Sequence, residues 1–149
     1  MHKKLLNDEI SEQIKHLFEA QLIHPVELLF FSDGEGCTMC EETRQLLSEL
    51  ILLSDRLSLT ENNLSKNIKE AQKYNLSLAP SLVVVGRQQD EELDFGIRFI
   101  GIPSGYEFSA LIQTIIMISK RDSGLKPETR DELGGITAPV NFKVFVTPT

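Results

Sequence analysis

The sequence has no tryptophan and only two tyrosines beside its eight phenylalanines. Any core built from it must therefore rest on Leu, Ile and Val. Long apolar runs are also missing. The most apolar stretch, Leu111 to Ile118, is interrupted by Gln113 and Thr114, and it is far shorter than the ~20 residues a membrane-spanning helix needs. The start, Met1 to Glu9, carries Lys3 and Lys4 with no apolar segment behind them. No secretory signal is expected there, and the expected compartment is the cytosol. Basic excess is absent as well: 15 Lys and Arg stand against 22 Asp and Glu, for a net charge of −7. A phosphate-binding surface shows a basic stripe. The cations here are scattered, so neither nucleic acid nor a membrane surface is expected as a partner. Cysteine is scarce, with Cys37 and Cys40 alone. A structural disulfide framework would need more cysteines, spread along the chain. In a cytosolic protein this usage points to redox chemistry or to metal.

What is present suffices for one globular domain. Apolar residues make up 41% of 149 positions, which argues against disorder and for a real core. Residues 8–21 read as a helix, with Ile10, Ile14, Leu17 and Phe18 at helical spacing and Asn7 as N-cap. After His24-Pro25, the run Val26 to Phe31 has the continuous apolar pattern of a strand buried on both faces. A turn over Ser32 to Gly36 leads into a second helix expected to start near Cys37, with Cys40, Leu47, Leu50 and Ile51 as its apolar stripe. Leu57 to Thr60 reads as a short strand. Lys66 to Tyr74 reads as a polar helix with Ile68 and Ala71 on one side, and Ser81 to Val85 as a strand. Gly86 to Glu92 has the character of a hairpin turn. Phe95, Ile97 and Phe99 then alternate as the buried face of another strand. Ser104 and Glu107 have capping-box spacing ahead of a helix with the face Phe108, Leu111, Ile112, Ile115 and Ile116. Pro127 opens a further helix that Gly134-Gly135 ends, and Phe142 to Val146 reads as a last strand.

Cys37-Thr38-Met39-Cys40 is the sharpest chemical signal. It follows a buried strand and opens a helix. Free N–H groups and the positive end of the helix dipole favour thiolate at Cys37. Cys40, three residues on, lies within bridging range and on the apolar stripe. The expected roles are attacking thiolate for Cys37 and resolving thiol for Cys40. Two blander readings stay open: small core residues, or half of a zinc site. Zinc would need two more ligands, and His2, His16 and His24 form no second pair. Asp33, Glu35, Glu41 and Glu42 read as a solvated acidic face that opposes the dipole. Glu27, the one ionisable group in the strand before the dithiol, reads as solvent-facing at a strand end. Turned inward, it would instead assist proton transfer to Cys40.

A strand–helix–strand opening followed by a hairpin and a helix is a thioredoxin-like arrangement. The expected fold class is α/β, in three layers, with a central mixed sheet and helices on both faces. In that fold the place of Ala79-Pro80 holds a cis-proline beside the dithiol. The peptide before it offers backbone groups to an extended substrate.

Several stretches resemble the protein disulfide oxidoreductase family, also described as glutaredoxin-like. They are His24-Pro25-Val26-Glu27-Leu28, the Cys37–Cys40 motif, Leu78-Ala79-Pro80, the run from Asp94 to Phe108, and Lys143 to Thr149. The resemblance covers nearly the whole chain. It implies dithiol–disulfide exchange through Cys37 and Cys40, with substrate contact at Thr38, Met39, Ala79 and Pro80. It implies no cofactor and no metal. Expected partners are proteins bearing disulfides or dithiols, with a reductase as electron donor. Family members carry two thioredoxin-fold units in tandem, each with its own CxxC. On that pattern residues 1–124 form a unit with an N-terminal accessory helix, and 125–141 a connecting helix or linker. Residues 142–149 are then the first strand of a truncated second unit, free to self-associate. The chain departs from the thioredoxin signature Trp-Cys-Gly-Pro-Cys. It also has Leu78-Ala79-Pro80 where glutaredoxins have Thr-Val-Pro, so glutathione binding is not implied. Two alternatives to catalysis remain: a non-catalytic scaffold half of a two-unit oxidoreductase, and a metal site shared between chains.

Overall fold

The computed structural model describes residues 3–34 and 36–147. Asn7 caps the first helix, α1 (Asp8–Gln21), by accepting the Ile10 N–H at 2.8 Å. The remaining elements are β1 (Val26–Ser32), α2 (Cys40–Ile51), β2 (Leu57–Asn63), α3 (Ile68–Lys73), β3 (Ser81–Gln88), β4 (Glu91–Ile100), α4 (Tyr106–Lys120) and α5 (Pro127–Gly134).

The sheet order is β2-β1-β3-β4, with β1 parallel to β2 and antiparallel to β3, and β3 antiparallel to β4. Its strand β1 is buried on both faces because side chains alternate across the pleat. Val26, Leu28 and Phe30 join Leu82 and Val84 in a core with α1, α2 and α4. Leu29 and Phe31 join Val83 and Val85 in a smaller core with Ala71 of α3 and with Tyr74. Three layers result: three helices on one face, the sheet, and α3 on the other. This is the thioredoxin-like α/β arrangement. No helix among the described residues is long and apolar enough to cross a membrane.

Several local expectations are corrected. Ile68 is exposed, and Ala71 alone carries the buried side of α3. Strands β3 and β4 run further than their apolar residues and leave only Gln89 and Asp90 between them, where a seven-residue turn was expected. Phe95 is half exposed rather than part of a buried face. The β3–β4 register slips between Val83 and Val85, and Gly96 has φ +79°, so the alternation is broken just there. The capping box does not form. Gly105, at φ 59°, is the N-cap of α4, and the Glu107 N–H takes the Ser104 backbone carbonyl instead. Residues 141–147 form no strand, and Phe142, Val144 and Phe145 are 83–91% exposed. A strand exists only against a ladder partner, and among the described residues this segment has none. Pro148 and Thr149 lie outside the described residues.

Candidate active site

The site is built where β1 ends. Phe31 of β1 pairs with Ser81 of β3, so the loop leaving β1 and the loop entering β3 share one end of the sheet. The first carries Cys37 and the second Ala79-Pro80. Cys37, Cys40 and Ala79 all pack on the same core cluster.

Cys37 and Cys40 form a disulfide, with their α-carbons 5.4 Å apart. The helix does not start near Cys37, as its sequence suggests. Residues 38–39 are a turn and α2 starts at Cys40. The Cys40 N–H donates to the Cys37 carbonyl at 3.3 Å, and the Cys37 N–H to the Gly34 carbonyl at 3.5 Å. Cys37 thus precedes the first turn of α2, whose leading N–H groups have no intrahelical acceptor. Burial separates the sulfurs' hosts: Cys40 is 4% exposed, whereas Cys37 is only partly buried. Thr38 and Met39 are exposed beside them.

The Ala79–Pro80 peptide is cis. Pro80 is buried and Ala79 half-buried. The Ser81 hydroxyl donates to the Leu78 carbonyl, and the Gly101 N–H to the Pro80 carbonyl at 2.8 Å. These bonds tie the loop to both its own strand and the end of β4.

The acidic face is only partly solvated. Asp33 accepts from the Ser65 hydroxyl at 2.6 Å and from the Gly34 N–H at 3.1 Å. Glu41 pairs with Arg44, which also reaches Glu61 at 2.7 Å and lies 5.8 Å over the Phe30 ring. Glu42 is exposed, and Glu35 lies outside the described residues.

Glu27 is corrected on both counts. It is 9% exposed rather than solvent-facing, and it is turned away from the dithiol. Alternation places it with Leu29 and Phe31, on the α3 face. There its carboxylate takes the Thr60 hydroxyl and the Arg87 guanidinium. Thr43 is the polar residue that sequence reading passed over. It is fully buried on α2, and its hydroxyl donates to the Met39 carbonyl at 2.7 Å. The signal was a Thr falling between Cys40 and Leu47 on the buried side of α2. Among the described residues no group of three His, Cys, Asp or Glu side chains could hold a metal ion.

A CxxC disulfide ahead of a helix, one sulfur in the core and the other at the surface, beside a cis-proline loop, defines a thiol–disulfide oxidoreductase unit of thioredoxin fold. No family model matches the chain. It is 28% identical over 145 residues to the alkyl hydroperoxide reductase subunit AhpF of Staphylococcus epidermidis, a match covering 97% of this chain and 25% of that protein. The chain therefore spans about a quarter of the length of the curated relatives it matches. Among solved structures, a protein disulfide oxidoreductase from Aeropyrum pernix K1 superimposes with a TM-score of 0.74 at 22% identity, over 87% of this chain and 54% of that one. The NTD_N/C domain of the alkylhydroperoxide reductase AhpF from Enterococcus faecalis gives 0.75 at 23% identity, over 86% and 59%.

Proposed function

We propose that this chain passes electron pairs between protein dithiols and disulfides, with Cys37 as attacking thiolate and Cys40 as resolving thiol. The carrying observation is the unequal burial of two bonded cysteines at the end of β1. In the reducing direction the Cys37 thiolate attacks a substrate disulfide. A Cys37–substrate S–S bond forms, and the substrate's other sulfur leaves as thiolate. Cys40 then attacks Cys37, the protein disulfide re-forms, and the second substrate sulfur departs. The protein is oxidised by two electrons and the substrate reduced by two. Thr38, Met39, Ala79 and Pro80 border this chemistry and serve as the substrate-contact surface, with backbone groups before Pro80 meeting an extended segment.

The likeness to AhpF suggests the setting. A reductase unit returns electrons to the Cys37–Cys40 disulfide, and a thiol protein that consumes peroxide receives them. The exposed apolar segment 142–147 serves as a strand against a further thioredoxin-like unit, with 125–141 as the connection.

The test is trapping. A Cys40→Ser chain, reduced and mixed with a protein disulfide, should accumulate a mixed disulfide through Cys37, visible on a non-reducing gel. Cys37→Ser should give none and no exchange. Exchange by the Cys37→Ser chain would refute these roles.

A further inference from the structure

The resolving step poses a problem of burial. Cys40 must become a thiolate to attack, yet it is 4% exposed within an apolar cluster, and burial without a partner disfavours the charged form. The groups around it offer little help. Among the described residues the other buried titratable side chains are Glu27 and Tyr74, and both lie on the α3 face of the sheet. Asp33 is half-buried in the preceding loop and held by Ser65. Glu41 and Glu42 are exposed at the start of α2. All three are anionic when ionised and would oppose a second negative charge. One buried hydroxyl is on the right element: Thr43.

We propose that Thr43 is the hydrogen-bond donor that stabilises the Cys40 thiolate during resolution, a role that rests on the exchange mechanism above. Thr43 follows Cys40 by three positions on α2, a spacing at which helix side chains are neighbours with β-carbons roughly 5–6 Å apart. In the disulfide form its hydroxyl donates to the Met39 carbonyl at 2.7 Å. That carbonyl also accepts the Thr43 backbone N–H at 3.0 Å. The hydroxyl is therefore free to turn its O–H toward Cys40 Sγ without leaving a buried carbonyl unsatisfied. As Cys40 loses its proton to solvent, the thiolate takes the vacated hydrogen bond. Its sulfur then bonds to Cys37 Sγ, the Cys37–substrate bond breaks, and the substrate sulfur leaves with the electron pair and gains a proton from water. Once the disulfide is made, the Thr43 hydroxyl returns to the Met39 carbonyl.

The test uses the reduced full chain and dithiobis(nitrobenzoate), followed by rapid mixing. The first coloured thiol is released by Cys37 attack and the second by Cys40 attack, so one trace reads both sulfurs. Thr43→Val keeps the shape and removes the donor. It should slow the second phase about tenfold, the effect of losing one hydrogen bond to a charged group, and leave the first phase unchanged. The pH midpoint of the second phase should rise by about one unit. Thr43→Ser should restore both, and Thr43→Ala provides the same deletion should Val disturb folding. A second phase unchanged in Thr43→Val overturns the proposal. So does equal slowing of both phases in Val, Ala and Ser variants, the mark of a purely structural residue. Absence of a first phase in the unmodified chain would instead refute the exchange mechanism itself.

Discussion

The two faces of the sheet are built on opposite principles. The face under α1, α2 and α4 buries aliphatic residues and Phe, and the dithiol sits at its edge. The face under α3 buries charge. There Glu27 meets Arg87, Arg87 reaches Glu92 at 3.5 Å, and Glu92 accepts from the Tyr74 hydroxyl at 2.6 Å. Lys73 and Arg98 lie 4.8 and 5.2 Å from the Tyr74 ring centroid. The contrast marks where titration is allowed. Ionisable groups are gathered on the face away from the sulfurs, so on the redox face the cysteines are the buried groups that can change charge.

Stability should suffer most on the redox face. Leu47 is fully buried on α2 beneath the dithiol turn. Leu47→Ala should cost about 2–5 kcal/mol through lost transfer energy and a cavity, read as a drop in the urea midpoint. It should also loosen the seat of Cys40, and the redox equilibrium with a reference dithiol should move with stability.

A smaller loss is expected from the charged face. Glu27→Ala leaves the Arg87 guanidinium, itself a third exposed, without its buried partner. About 2–3 kcal/mol should be lost, less than for a fully buried pair. Here the redox equilibrium should stay where it was. A shift in that equilibrium would contradict the separation of the two faces.

Acid should produce a weaker effect still. The Arg98 guanidinium holds the Asp94 carboxyl below its ordinary 3.8. Burial pushes Glu92 up, but the Tyr74 hydroxyl and Lys73 outweigh it and leave Glu92 below its ordinary 4.5. Both carboxyls thus bind protons less readily folded than unfolded. Their contribution is complete above the unfolded values and is lost as pH falls below about 4 through the folded ones. Stability measured against pH should fall in that acid range, and Asp94→Asn should flatten the fall. Thiol exchange by the refolded chain should not track it.

Much of this was legible in the sequence wherever the signal was local. Asn7 before an amphipathic run, the apolar block Val26 to Phe31, Pro127 before Gly134-Gly135, and Cys-x-x-Cys at a strand-to-helix junction each carry their own cause. What escaped depended on register or on distant partners. Glu27 is buried because antiparallel pairing sets Val26 opposite Gly86 and brings Arg87 alongside, a contact across 60 residues that no window contains. Phe95 is exposed because a register slip and Gly96 break an alternation that reads as regular. Ser104 and Glu107 have capping spacing, but the backbone at Gly105 sets the helix start elsewhere. Phe142 to Val146 has strand composition, but composition does not supply a ladder.

Whether one end of the sheet holds two chemically unequal sulfurs is a question that competitive alkylation answers. The reduced chain would be given a limiting amount of iodoacetamide near neutral pH, and the label on each cysteine counted by peptide mass. Exposure and position before α2 predict labelling at Cys37 at least about tenfold faster than at Cys40. Equal rates, or faster labelling at Cys40, would refute the assignment of attacking and resolving sulfurs.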